Sequence, residues 1–180
     1  MKTRYTDFVQ HLEHEFEFND DPTKQKLVRS HLRAAMPRIG LIVLSFNTLE
    51  KHVESFICEM ISDRADTFGL LVMQGMHYAQ KVELLKRLAE HRHAVIGSAP
   101  AKYHGLIEGL HGAAALRNRV VHADWNNTDA EGFTYLRLRV SGQRMQQEYA
   151  QLTTDSLDGV IKSLSATTQQ LGEYIAELLY

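Results

Sequence analysis

An arginine and a histidine stand five residues apart in the stretch Arg117-Asn118-Arg119-Val120-Val121-His122-Ala123-Asp124-Trp125. On a helix, residues four apart share a face, so Asn118 and His122 point the same way while Arg117 flanks them. A guanidinium carries a fixed positive charge and paired N–H donors that suit phosphate oxygens. An imidazole exchanges a proton near neutral pH. Together the three side chains suit phosphodiester chemistry, with Asn118 orienting the imidazole or binding a second phosphate oxygen. Asp124, two residues past His122, would raise the imidazole pKa if the side chains met. The same residues also have a plain structural use, because an arginine or a protonated histidine near a helix C-terminus favours the macrodipole. Spacing alone favours that plain use, since short patterns recur by chance.

Other groups carry weaker signals. Glu108 with His111, and Glu90 with His93, repeat the Glu-x-x-His spacing of di-iron four-helix proteins. Glu90 and His93 fall at a helix end, and Glu50 and Glu54 are the remaining candidate glutamates, so the di-metal reading is set aside. His11 with His14, and His104 with Glu108 and His111, share helix faces but lack further ligands. No metal and no cofactor is expected. Glu50 borders an apolar stripe between Phe46 and Val53, where a carboxylate needs a partner. Lys81 or Arg117 would supply it, and a structural ion pair is favoured over a catalytic role for Glu50. Arg137 and Arg139 alternate with Leu136 and Leu138, giving one strand face that is basic. It suits a nucleic-acid backbone or simple solvation equally well.

Elements that position these residues are legible from periodicity. Tyr5, Phe8, Val9, Leu12 and Phe16 fall on one helical face, and NDDPTKQ ends that segment. A second helix is expected from Thr23 towards Ala35. Pro37 is placed to open the longest one, whose apolar set runs from Ile42 through Leu49, Val53 and Phe56 to Met60. SDRAD supplies N-cap residues for a helix from Phe68 to Leu88, in which Gly69 and Gly75 mark close helix contacts. GSAP is a turn, and a helix from Tyr103 to Val121 follows, with Arg117 and His122 in its last turns. FTYLRLRV at 133–140 switches to period two and reads as a strand. Ser141-Gly142 turns the chain, Arg144 to Leu152 returns as an edge strand, and TTDS caps a final helix carrying Leu157, Leu164 and Leu171.

The fold class is therefore mainly α, a bundle of five or six helices with a small antiparallel hairpin (about residues 132–152) before the C-terminal helix, all in one domain over 1–180. The chain has 180 residues, three prolines and eleven glycines, which is ordinary for a helical globular protein. Cys58 is the lone cysteine and reads as a small buried thiol. The first residues are too charged for a signal peptide and no stretch is apolar enough to span a bilayer, so a cytoplasmic protein without a membrane partner is expected. A net charge of −2 excludes a global basic field but leaves room for a local basic pocket.

Leu116-Arg117-Asn118-Arg119-Val120-Val121-His122, followed by Trp125, resembles the Arg-polar-x-x-x-His signature of the HEPN superfamily (higher eukaryotes and prokaryotes nucleotide-binding domains). SFNTLEKHVESFI and AQKVELLKRL are similar to the two preceding helices of many bacterial members, and the resemblance covers roughly residues 35–180. It implies a HEPN-like helical bundle with the motif at the end of a late helix. Many members are metal-independent endoribonucleases of toxin, phage-defence or RNA-processing systems. Others keep the fold as non-catalytic modules that bind RNA, a nucleotide or a protein partner. The resemblance makes His122 the motif histidine, Arg117 the motif arginine and Asn118 the polar residue between them.

In the active branch two such motifs meet across a homodimer, with the motif helices at the interface, and the resemblance leaves room for an antitoxin or another protein partner. The implied reaction is attack of a ribose 2'-oxygen on the adjacent phosphorus, with His122 as general base or acid and Arg117 stabilising the phosphorane. Its products would be a 2',3'-cyclic phosphate and a 5'-hydroxyl. Ala123 stands where glycine often follows the histidine in the family. Endoribonuclease and non-catalytic binding module both remain open at this point.

Overall fold

The computed structural model describes residues 1–7, 21–62, 65–142 and 144–179. In chain order the elements are β1 (Thr3–Asp7), α1 (Pro22–Ile61), α2 (Asp66–Met73), α3 (Tyr78–Ile96), α4 (Tyr103–Val121), β2 (Asp124–Thr128), β3 (Phe133–Ser141), β4 (Arg144–Gln151) and α5 (Thr154–Leu179). Most of the described residues are helical, as the periodicity leads one to expect, and the strands form one antiparallel sheet. No helix among the described residues is long and apolar enough to cross a membrane. The chain divides into two compact units, Met1–Val43 with Arg117–Ile161, and Leu44–Leu116 with Lys162–Tyr180.

The second unit is all helix. Leu49, Val53, Phe56 and Ile57 of α1 are buried at three-and-four spacing, and Val82, Leu85 and Ala89 do the same on α3. The run from Phe68 to Leu88 is two helices where the sequence suggests one. Gly75, at φ +77°, turns the chain between them, and α3 opens with the His77 N–H donating to Gln80 Oε1 at 2.8 Å. A Cβ on Gly75 would meet nothing within 4 Å, so this glycine serves the turn and not a helix contact. Gly69 does make the expected close approach: a Cβ there would lie 2.6 Å from Cys58 Sγ and 2.7 Å from Cys58 Cα. The Cys58 thiol is buried, as its apolar neighbours indicate.

In the first unit the sheet order is β1-β4-β3-β2. The expected hairpin exists, as β3 against β4, with Gly142 at φ +59° in its turn. It is part of a larger sheet, which corrects the expectation of an isolated hairpin. β4 is not an edge strand. Tyr5, which the periodicity assigns to a helical face, lies in β1 and pairs with Glu148. The remainder of that expected helix, including His11 and His14, lies outside the described residues.

β2 is a strand that the polar run DWNNT does not announce. It is held where the Thr128 and Thr134 hydroxyls meet at 3.0 Å in the interior. Asp129 closes its turn by accepting the Phe133 and Glu131 N–H groups on Oδ1 at 2.8 and 2.9 Å.

α1 also corrects the sequence reading. It is a single helix of 40 residues with Pro37 inside it, not two helices meeting there. Proline removes one N–H from the helical ladder. Arg38 supports the weakened turn by donating Nη1 to the Ala34 carbonyl at 3.0 Å, while Nε and Nη2 hold both oxygens of Asp158 on α5 at 2.8 and 3.1 Å. A bidentate arginine–carboxylate pair fixes geometry as well as energy, so the proline is carried without a break.

Candidate functional site

α4 delivers the motif to its C-terminal end. The helix stops at Val121, yet the His122 N–H still donates to the Asn118 carbonyl at 3.0 Å. No glycine is needed, because the chain passes through buried Ala123 straight into β2. Trp125 locks the exit by donating its indole N–H to the Val120 carbonyl at 2.9 Å. The position of His122 is thus set from both sides, by the last helical turn and by the first strand residues.

Within the motif, Arg117 Nη1 donates to Asn118 Oδ1 at 2.9 Å. This contact uses the amide oxygen of Asn118 as its acceptor. Asn118 and His122 are exposed and Arg117 is half-buried. No hydrogen bond or ion pair holds the His122 imidazole among the described residues. Asp124 does not meet it: Asp124 Oδ1 accepts the Asn126 N–H at 3.2 Å and shapes the start of β2 instead. Arg117 and Asn118 meet through their side chains and His122 follows one turn on from Asn118, while Asp124 serves the backbone.

Glu50 and Lys81 belong to the helical unit. Lys81 is the cation that meets Glu50, with Nζ 2.7 Å from Glu50 Oε1 and 2.6 Å from Glu54 Oε1. Burial works against the ammonium, but the hydrogen bonds to Glu50 and Glu54 outweigh it and hold the Lys81 pKa above its ordinary value. The chemistry of this trio is that of a clamp between α1 and α3. Histidines with metal-ligand spacing are likewise occupied: His111 Nε2 lies 3.2 Å from Glu83, and His93 Nε2 shares a hydrogen bond of 2.9 Å with the Tyr174 hydroxyl. Among the described residues no three histidine, cysteine or carboxylate side chains group as metal ligands would.

Sequence reasoning missed the most heavily charged cluster of the first unit. Glu148 on β4 is 2% exposed and binds three arginines. Arg137 Nε and Arg139 Nε donate to Oε2 at 2.9 and 2.7 Å. Arg119 Nη2 donates to Oε1 at 3.2 Å and to Thr3 Oγ1 at 2.7 Å. Burial pushes the Glu148 carboxyl up, but the arginine hydrogen bonds and charges prevail and hold it below the usual range.

A bulge between Tyr135 and Arg137 makes the cluster possible. It pairs Tyr135 with Tyr149 on one face and Arg137 with Glu148 on the other, whereas strict alternation would put both β3 residues on one face. The alternating arginines were a visible signal; the register that gives them a carboxylate was not.

No family model, no curated protein and no solved structure matches this chain.

Proposed function

We propose that this chain is a HEPN-like, metal-independent endoribonuclease that cleaves RNA by attack of a ribose 2'-hydroxyl on the adjacent phosphorus. The observation that carries the reading is the exposed imidazole of His122, unengaged by any described residue, one helical turn on from Asn118, whose side chain accepts from Arg117. An imidazole without an internal partner keeps its lone pair for a substrate proton. His122 takes the 2'-hydroxyl proton, Arg117 meets the negative charge that builds on the phosphorane oxygens, and Asn118 donates its amide N–H to a further phosphate oxygen. The departing 5'-oxygen needs a proton as well. A second copy of the motif, brought in by homodimerisation, supplies it from its own His122.

The test is incubation of the wild-type chain and its His122→Ala and Arg117→Ala variants with mixed RNA, without divalent metal, reading fragment ends by mass spectrometry. Cyclic-phosphate ends produced by the wild type alone are the expected result. A folded, dimeric wild type that cleaves nothing would move the reading to the second one: a non-catalytic HEPN-like module that binds RNA, a nucleotide or a protein partner. One observation favours that alternative. Asp124 is turned to the backbone and leaves His122 without a carboxylate to orient it.

A further inference from the structure

The face of the sheet that carries Glu148 holds more positive charge than the carboxylate can neutralise. Side chains alternate along a strand, so Arg144, Gln146 and Glu148 of β4 share this face with Thr3, Tyr5 and Asp7 of β1 and, beyond the bulge, with Arg137 and Arg139 of β3. Arg119 reaches it from the end of α4. Among the described residues four arginines thus stand against Glu148 and Asp7, and Asp7 is itself engaged by Gln146 Nε2 at 3.0 Å.

The arginines remain open to solvent: the side chains of Arg137 and Arg139 are 62% and 47% exposed although both are bonded to a buried carboxylate. Each uses its Nε on Glu148. Both terminal amino groups of each guanidinium then have no acceptor among the described residues. Glu148 acts as an internal counter-ion that fixes the forks without covering them.

We infer that this face binds the phosphodiester backbone of a single-stranded nucleic acid. Charge complementarity carries the choice of occupant. Two strand residues separate Arg137 from Arg139 by about 7 Å, close to the distance between neighbouring phosphates of an extended strand, and a guanidinium fork matches phosphate oxygens. Tyr5 adds a feature that an acidic peptide would not require. The residue is 47% exposed and its ring lies against the Arg139 guanidinium at 5.6 Å, which presents an aromatic surface to a base whose phosphate sits on the arginine. The track needs the sheet and not His122, so it holds whether or not the α4 motif cleaves.

The experiment is fluorescence anisotropy with a short labelled single-stranded RNA of mixed sequence, titrated from about 50 to 200 mM salt. The His122→Ala chain is the parent, so that cleavage cannot interfere and failure of the ribonuclease reading is scored separately. The parent should bind, with affinity falling steeply as salt rises. Arg137→Ser with Arg139→Ser should weaken binding at low salt by about tenfold or more and reduce the salt slope by about 1.4, the value for two phosphate contacts on a single strand.

That double variant also strips two partners from Glu148, so Arg144→Glu is run beside it. The Arg144 side chain makes no hydrogen bond among the described residues, and its reversal should weaken binding by about fivefold in a fully folded chain. A parent that does not bind overturns the inference. So does a salt slope unchanged in both variants, or a polyglutamate peptide of matched length that binds as tightly as the RNA.

Discussion

Replacing Glu148 by glutamine keeps the shape of the side chain and removes its charge. In the wild type one carboxylate that is 2% exposed accepts three guanidinium hydrogen bonds of 2.7 to 3.2 Å. Hydrogen bonds to charged groups each contribute about 1.5–3 kcal/mol, and breaking a buried ion pair costs about 3–5 kcal/mol when the stranded charge stays buried. Here the stranded charges do not stay buried. Arg119, Arg137 and Arg139 are 30%, 62% and 47% exposed and regain water, so solvent screening cuts the figure to about 2 kcal/mol.

The expected outcome is a loss of that size in urea unfolding followed by circular dichroism at neutral pH. A second axis tests the cause. The folded-state pKa of Glu148 is lowered from 4.5, so its contribution is fully present above about pH 4.5 and disappears as pH falls through the lowered folded value. Wild type and Glu148→Gln should therefore converge in acid, because the wild-type carboxyl becomes protonated and resembles the amide. A glutamine variant within about 0.5 kcal/mol of wild type at neutral pH, or a gap that persists unchanged in acid, would refute the assignment of Glu148 as the charge that holds the cluster.

Three further outcomes follow from the helical unit. Gly69→Ala should destabilise by about 1–2 kcal/mol in urea unfolding, since a gain of about 1 kcal/mol in helix propensity is outweighed by a methyl group placed 2.7 Å from the Cys58 backbone. Lys81→Met should cost about 2 kcal/mol, because it leaves Glu50 and Glu54, half-buried and four residues apart, facing each other without a cation; Glu50→Gln in the same background should recover part of that loss. Burial lowers the pKa of His93 from 6.5, so stability is intact above about pH 6.5 and is lost as pH falls through the lowered folded value. His93→Gln should flatten that part of the stability-versus-pH curve, and an unchanged curve would count against His93 as its source.

The helical part of the fold was legible because burial of one stripe leaves a periodic record. Leu49, Val53, Phe56 and Ile57 were marked as core by spacing, and they are core. Boundaries were less legible wherever a single residue had two uses. Pro37 fits the first turn of a helix or a tolerated interior site, and the Arg38–Asp158 pair that decides between them links residues 120 apart. Gly75 fits a helix contact or a turn, and nothing local distinguishes these.

The sheet was only half visible for a similar reason. β3 alternates, but β1 and β2 are five residues each and mostly polar, so their pairing is decided by β4 and by the Thr128–Thr134 contact rather than by pattern. At the candidate site, the placing of His122 one turn on from Asn118 follows from helix geometry alone. The fate of Asp124 depended on a turn that starts with its own side chain.

The pairing of β1 with β4 has a consequence for how the chain is made. Thr3 is opposite Ala150, so at ribosomal speeds of about 5–20 residues per second the first strand waits roughly 7–30 s for β4, its neighbour among the described strands. For most of that interval β3 has not been synthesised either, and Arg119, Arg137 and Arg139 all leave the ribosome before Glu148 itself. The sheet can close only late, around a carboxylate whose counter-ions already stand in the chain when it emerges. Nascent chains stalled before β4 should accordingly be digested readily by protease at Thr3–Asp7, and become resistant there only once Gln151 has cleared the exit tunnel.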